Sequence, residues 1–155
     1  MKKWLKRPGY ALGALVLVVS GLVVLMAYNQ ARAFAAPFRG PPYISPSDYG
    51  LDFETVTLTS EDGLKLAAWY IPSRNRAAVI VQHGIYMTRA GMLGPAAMLA
   101  RHGYGVMLVD QRSRGMSEGD TFSFGKYEVR DIEAAYRYLE SRPSWRTARS
   151  RRCRM

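Results

Sequence analysis

Residues 79–119 read VIVQHGIYMTRAGMLGPAAMLARHGYGVMLVDQRSRGMSEG. Ala77–Gln82 (AAVIVQ) is a short unbroken apolar run, which predicts a strand buried on both faces of a parallel sheet. His83-Gly84 follows it as a turn. Leu93, Ala96, Ala97, Leu99 and Ala100 then recur at helical spacing, with Pro95 in the first turn and Gly103 just past the end. Gly105–Val109 (GVMLV) is the next buried strand and runs into Asp110. Strand, helix and strand at this spacing predict a right-handed parallel crossover.

The flanks extend the pattern. FETVTLTS from Phe53 and LKLAAWYI from Leu64 are β-rich runs split by Glu61-Asp62-Gly63, which predicts a hairpin. Pro72 stops its second strand. Downstream, Val129, Ile132, Ala135, Tyr136 and Leu139 predict one apolar face of a helix over Glu128–Glu140, ended by Pro143. Between 29 and 52 lie Pro37, Pro41, Pro42 and Pro46, which predict an extended linker.

Charge is concentrated at the ends. Lys2, Lys3, Lys6 and Arg7 give residues 1–9 a charge of +4, and five arginines give 144–155 a charge of +5. The 13 basic and 12 acidic residues of 10–143 nearly cancel, so the body gives no reason to expect a nucleic-acid partner. The tail SWRTARSRRCRM has no interleaved aromatics beyond Trp145. A single cysteine, Cys153, excludes a disulfide framework and a cysteine-based zinc site. Two histidines 19 residues apart make a poor metal set, and no cofactor is expected.

Ala11–Tyr28 (ALGALVLVVSGLVVLMAY) holds 18 residues without a charge. As a helix it would span about 27 Å, close to the hydrocarbon thickness of a bilayer. The four basic residues before it place the N-terminus in the cytoplasm and the rest outside. Trp4, Tyr10 and Tyr28 suit the interfacial belt. A cleaved signal peptide is the rival, with Ala31-Arg32-Ala33 as its small-x-small site, but the apolar run exceeds a usual signal core. The organisation expected is therefore 1–10 basic cytoplasmic segment, 11–28 membrane anchor contacting lipid, 29–52 linker, 53–143 α/β domain and 144–155 basic tail.

Three features in Phe53–Arg142 resemble the N-terminal part of an α/β-hydrolase, closest to its membrane-associated bacterial branch of serine aminopeptidases and esterases. They are His83-Gly84 after a buried strand, the Asp110-x-Arg112-x-x-Gly115-x-Ser117-x-Gly119 loop after the next, and the order of the elements. The resemblance implies that the Ile85 backbone N–H belongs to the oxyanion pocket, with His83 and Gly84 shaping the turn. It implies a structural loop at Asp110, Arg112, Gly115 and Ser117, where Asp110 can cap loop N–H groups and Arg112 can pair with a carboxylate. Complete relatives would take small ester or peptide substrates.

The family's nucleophile stands on a Gly-x-Ser-x-Gly turn after the following strand, with acid and base later. A nucleophile turn at that place, the acid and the base are not found in these 155 residues: Gly115-x-Ser117-x-Gly119 has the spelling of the turn but lies in the Asp110 loop, with no helix placed behind Ser117. The expectation is a hydrolase cut short before its nucleophile and inactive as given. A non-catalytic membrane-tethered binding module is the alternative. The basic tail begins where the next apolar strand is due, which points to a shifted reading frame after codon 143. A genuine basic tail drawn to anionic lipid is the other reading.

Overall fold

The computed structural model describes residues 6–142 and separates into two units, Met1–Ala35 and Ala36–Met155. Trp4, Lys2, Lys3, Pro143 and the tail 144–155 lie outside the described residues.

The first unit is one helix, α1, over Lys6–Ala35. Its stretch Tyr10–Ala35 has 26 residues with a mean hydropathy of 2.5 and is long and apolar enough to cross a membrane. The helix overruns the expected 11–28 segment at both ends. Pro8 fits its first turn, where a missing N–H costs nothing. Beyond Tyr28, Asn29–Ala35 is helical where a linker was expected, because Gln, Arg and three alanines are adequate helix formers. Pro37 ends it by disfavouring the helical conformation at Ala36.

The second unit is built on a four-stranded sheet in the order β2 (Glu54–Thr59), β3 (Lys65–Ile71), β5 (Gly105–Val109) and β4 (Ala78–Gln82). Strands β2 (Glu54–Thr59) and β3 (Lys65–Ile71) form the expected hairpin, with Val56 opposite Ala68 and Leu58 opposite Leu66. β3 is antiparallel to β5 (Gly105–Val109), and β4 (Ala78–Gln82) is parallel to β5. Helix α2 (Leu93–Arg101) makes the crossover between β4 and β5.

The pleat sends alternate side chains to opposite faces. Leu66, Ala68, Tyr70, Met107 and Val109 meet Ala134, Ala135 and Leu139 of helix α3 (Glu128–Ser141). Trp69, Ile71, Val106 and Leu108 meet Leu93, Ala96 and Ala100 of α2 on the other face. Each fully buried Leu or Ile here contributes about 1.5–3 kcal/mol of transfer free energy. β5 is buried along its whole length because it lies between β3 and β4 and under both helices.

Three expectations need correcting. β4 is half-buried, not buried on both faces, because it is the edge strand of this sheet. On α3 the buried face carries Glu128, Asp131, Ala134, Ala135 and Leu139, while Val129 and Tyr136 are exposed. The helix is turned relative to its apolar stripe because two of its carboxylates have partners inside. The segment 36–52 is also more ordered than a linker. Its Phe38–Arg39 (β1) pairs in parallel with Arg114–Gly115 (β6), and Pro46–Tyr49 is a short 3₁₀ turn.

Candidate active site

The C-terminal end of β4 delivers His83, which is buried at 5% exposure. Its Nε2 accepts from the Gln111 N–H at 3.2 Å. Its Nδ1 lies 2.8 Å from the Gly84 carbonyl oxygen. A nitrogen that accepts carries no proton, so the proton sits on Nδ1 and is donated to Gly84. Burial is the main force pushing the imidazole below its ordinary pKa; the Gly84 hydrogen bond and Asp110 oppose it, and Arg114 and Arg89 add to it. A neutral ring with both nitrogens engaged is a brace, not a base.

The Gly84 carbonyl also accepts from the Met87 N–H at 3.1 Å, which closes a tight turn. Ile85 sits at the crest of that turn and is partly exposed. Its N–H makes no hydrogen bond to any described residue. A Cβ at Gly84 would meet only ordinary contact with Met87 Sδ at 3.5 Å, so no described neighbour demands the glycine.

The turn is held from behind by Asp110, at the end of β5. Arg89, in the 3₁₀ turn Arg89–Met92 leading into α2, donates its backbone N–H to Asp110 Oδ1 at 2.7 Å. Its Nη1 donates to Oδ2 at 2.6 Å, and Oδ2 also accepts from the Met116 N–H at 3.0 Å. Both side chains are buried, at 3% and 0% exposure. The guanidinium stacks 4.3 Å from the Trp69 ring centre. Asp110 therefore binds two loops at once: the one that carries Ile85 and the one that follows β5.

Arg112 faces the opposite way. Its backbone N–H and its Nη2 each donate to Asp131 of α3 at 2.8 Å, and its Nη1 donates to Asp62 in the hairpin turn at 2.8 Å. Burial works against this guanidinium, but its bonds to Asp131 and Asp62 outweigh burial and hold it charged beyond its ordinary range. Arg112, with Ser60, in turn drives the Asp62 carboxyl far below the usual carboxylate range. Burial raises Asp131, and Arg112 opposes it. At the start of α3, burial also works against Glu128. Hydrogen bonds from Ser123 and Gly125 prevail and keep that carboxyl below its ordinary value.

Ser117 is 2% exposed. Its Oγ donates to the Asp110 carbonyl oxygen at 2.5 Å and accepts from the Ala67 N–H at 2.9 Å. With its proton spent on a carbonyl and no imidazole in contact, it is a tie between loop and sheet. Gly115 has φ of +53°, and a Cβ there would collide with the Asp110 carboxylate. His102 closes α2, its Nδ1 donating to the Met98 carbonyl oxygen at 2.8 Å.

Asp110, Gly115 and Ser117 thus meet in one loop, His83 joins it through Gln111, and Ile85 is reached through Arg89. Arg112 belongs to a separate clamp between α3 and the hairpin. Sequence reasoning missed Arg89, Gln111, Asp62 and Asp131. For Asp131 a signal existed: a carboxylate close to an apolar helix stripe, with an arginine on a nearby loop to neutralise it.

No family model and no curated protein matches this chain. Solved structures do. An esterase of Pyrococcus furiosus, Pf2001, superposes with a TM-score of 0.67 and 29% identity, over 72% of this chain and 44% of the esterase. A second crystal form of it gives 0.66 and 28%, again over 44% of that chain. The α/β hydrolase GrgF of Penicillium sp. sh18 gives 0.54 and 27%, over 60% of this chain and 34% of GrgF. The chain spans less than half the length of these structures.

Proposed function

From a chain that carries the N-terminal portion of the α/β-hydrolase fold, we propose a membrane-anchored serine hydrolase acting on ester bonds, with amides as the second substrate class. The observation that carries this reading is the Ile85 N–H, which stands at the crest of the β4 turn without a described partner. The Arg89–Asp110 pair and His83 hold that turn from behind. A fixed backbone donor at this place suits the oxygen that gains charge as a carbonyl is attacked. Esters are favoured over amides because the Pyrococcus protein is an esterase.

In such a reaction a serine attacks the carbonyl, a histidine moves the proton, and an acid orients the histidine. These 155 residues supply the oxyanion side and the braces beneath it. Their Gly-x-Ser-x-Gly spelling, Gly115-Met116-Ser117-Glu118-Gly119, lies in the Asp110 loop and not on a turn from a strand directly into a helix, the next helix starting at Glu128. Both histidines and Ser117 are committed to structural hydrogen bonds.

A serine-directed fluorophosphonate probe tests the assignment. The chain of 155 residues should stay unlabelled. A version continued through a following strand and a Gly-x-Ser-x-Gly turn should label on that serine and hydrolyse p-nitrophenyl esters. Labelling of the 155-residue chain that disappears on Ser117→Ala would overturn the assignment of roles. An extended version that never labels would favour the non-catalytic binding module.

A further inference from the structure

Beside the Ile85 turn lies a groove of about 610 Å³ between the segment Phe38–Ile44 and the loop Tyr86–Gly91. Its walls are apolar and open. Tyr43 is 99% exposed, Tyr86 52%, Phe38 45%, Ile44 44% and Met87 40%. Pro41 and Pro42 complete the lining, and no carboxylate belongs to it.

This exposure is built, not accidental. The Phe38 N–H donates to the Ser113 carbonyl oxygen at 2.9 Å and the Gly40 N–H to that of Gly115 at 3.1 Å. Arg114 Nη1 donates to the Ala36 carbonyl oxygen at 2.6 Å. Further on, Pro46 is fully buried and anchors the other end. A segment pinned at both ends holds its apolar side chains out of the core, and a contiguous exposed apolar patch of this kind marks an interaction surface.

We infer that the groove formed by Phe38, Tyr43, Ile44, Tyr86 and Met87 seats on the lipid surface of the membrane that α1 crosses. This rests on the membrane-spanning reading of Tyr10–Ala35. Two observations select lipid as the occupant. Only Ala36 and Pro37 separate α1 from β1, so Phe38 lies within about 10 Å of extended chain from Ala35, and Ile44 within about 30 Å. The lining also has the composition of a membrane interface, in which tyrosine and phenylalanine rings sit at headgroup level above the apolar boundary. The contact is apolar, not electrostatic. Arg39, the cation in the lining, is turned to the Gly119 carbonyl oxygen at 2.7 Å and to Asp120 at 3.5 Å.

Nitroxide labels on the full chain in phosphatidylcholine nanodiscs test this. In a Cys153→Ser background, Tyr43→Cys and Met87→Cys report the two walls. Leu17→Cys reports the span, and Arg101→Cys, on exposed α2 surface, reports water. At both walls the ratio of collisions with oxygen to collisions with a water-soluble nickel chelate should be several-fold higher than at Arg101→Cys. It should not change when anionic lipid is added. Walls that match Arg101→Cys while Leu17→Cys reads lipid would overturn the groove contact and leave the span standing. Leu17→Cys reading as water would overturn the span and the inference with it. Walls shielded from both reagents would mean that protein covers the groove, from this chain or a second copy. A lipid signal confined to anionic discs would overturn the apolar mode of contact.

Discussion

Asp110 shows how one side chain can carry a loop. It takes the Arg89 N–H, the Arg89 guanidinium and the Met116 N–H, and it is fully buried. Removing it strands the Arg89 charge in the interior. Breaking one side of a buried pair costs about 3–5 kcal/mol, a large share of a typical domain's 5–15. Asp110→Ala in the full chain in detergent should lose about that much in chemical denaturation. Adding Arg89→Met should restore part of it, because the stranded charge goes too. In an extended, active version, turnover per folded molecule should fall less than stability does. Normal stability with abolished turnover would identify Asp110 as a catalytic acid instead. His83 gives a second residue-scale outcome. Its pKa is lowered in the folded chain, whereas an unfolded histidine titrates near about 6.5. As pH falls through that value the unfolded chain gains a proton that the folded one refuses. The contribution of His83 to stability is therefore full above about pH 6.5 and declines below it, toward the folded pKa. The melting temperature should drop between pH 7.5 and 5.5, and His83→Gln should flatten that slope. An unchanged slope would show that the ring is not held neutral.

Among the elements, the turn at β6 is where conformation and packing coincide. Gly115 has φ of +53° and faces the Asp110 carboxylate, while Gly125 has φ of +107° and nothing within 4 Å of an added Cβ. Alanine at Gly125 meets only the backbone penalty, about 1–3 kcal/mol. Alanine at Gly115 meets that penalty and must also displace the acid that holds two loops. Gly115→Ala should therefore destabilise clearly more than Gly125→Ala in a denaturant series. Equal losses would mean that the loop yields without disturbing Asp110. The regular elements were legible in the sequence because their signals are local. Asp62-Gly63 between two β-rich runs, the apolar Ala77–Gln82 and Gly105–Val109, and the period of Leu93–Ala100 each fall on the observed hairpin, strands and helix. What escaped depends on partners far away in the chain. Phe38–Arg39 becomes a strand only because Arg114–Gly115 lies beside it. The face of α3 was misplaced because apolar periodicity counts Glu128 and Asp131 as outward-facing. Ser123 and Arg112 draw both of them in. Of the candidate site, the His83-Gly84 turn and the Asp110 loop were visible as motifs. Arg89, which joins them, stands in a stretch with no periodicity to mark it.

At the scale of the whole molecule, charge and hydropathy are segregated along the chain. The groove beside Ile85 and the apolar helix α1 are joined by two residues, so any surface that takes one has the other within reach. In the proposed membrane-anchored arrangement, the flanks of the helix decide which side the α/β unit occupies. Lys2, Lys3, Lys6 and Arg7 precede Tyr10, whereas Arg32 and Arg39 are the cations close to the other end. Basic residues resist translocation, and the richer flank stays in the cytoplasm. A reporter active only outside the cytoplasm, fused after Pro143, should therefore be active. The protein should stay with the membrane through a carbonate wash and keep its N-terminal residues. A mature N-terminus at Phe34 would point to a cleaved signal peptide. Because the argument rests on charge, it carries its own control. Replacing Lys2, Lys3, Lys6 and Arg7 with glutamine leaves the two arginines after the span as the stronger flank. That variant should lose a large part of its outside activity to the inverted orientation. A fusion that is expressed but silent with the four cations in place would refute the orientation. Activity unchanged without them would show that something other than the basic flank sets it.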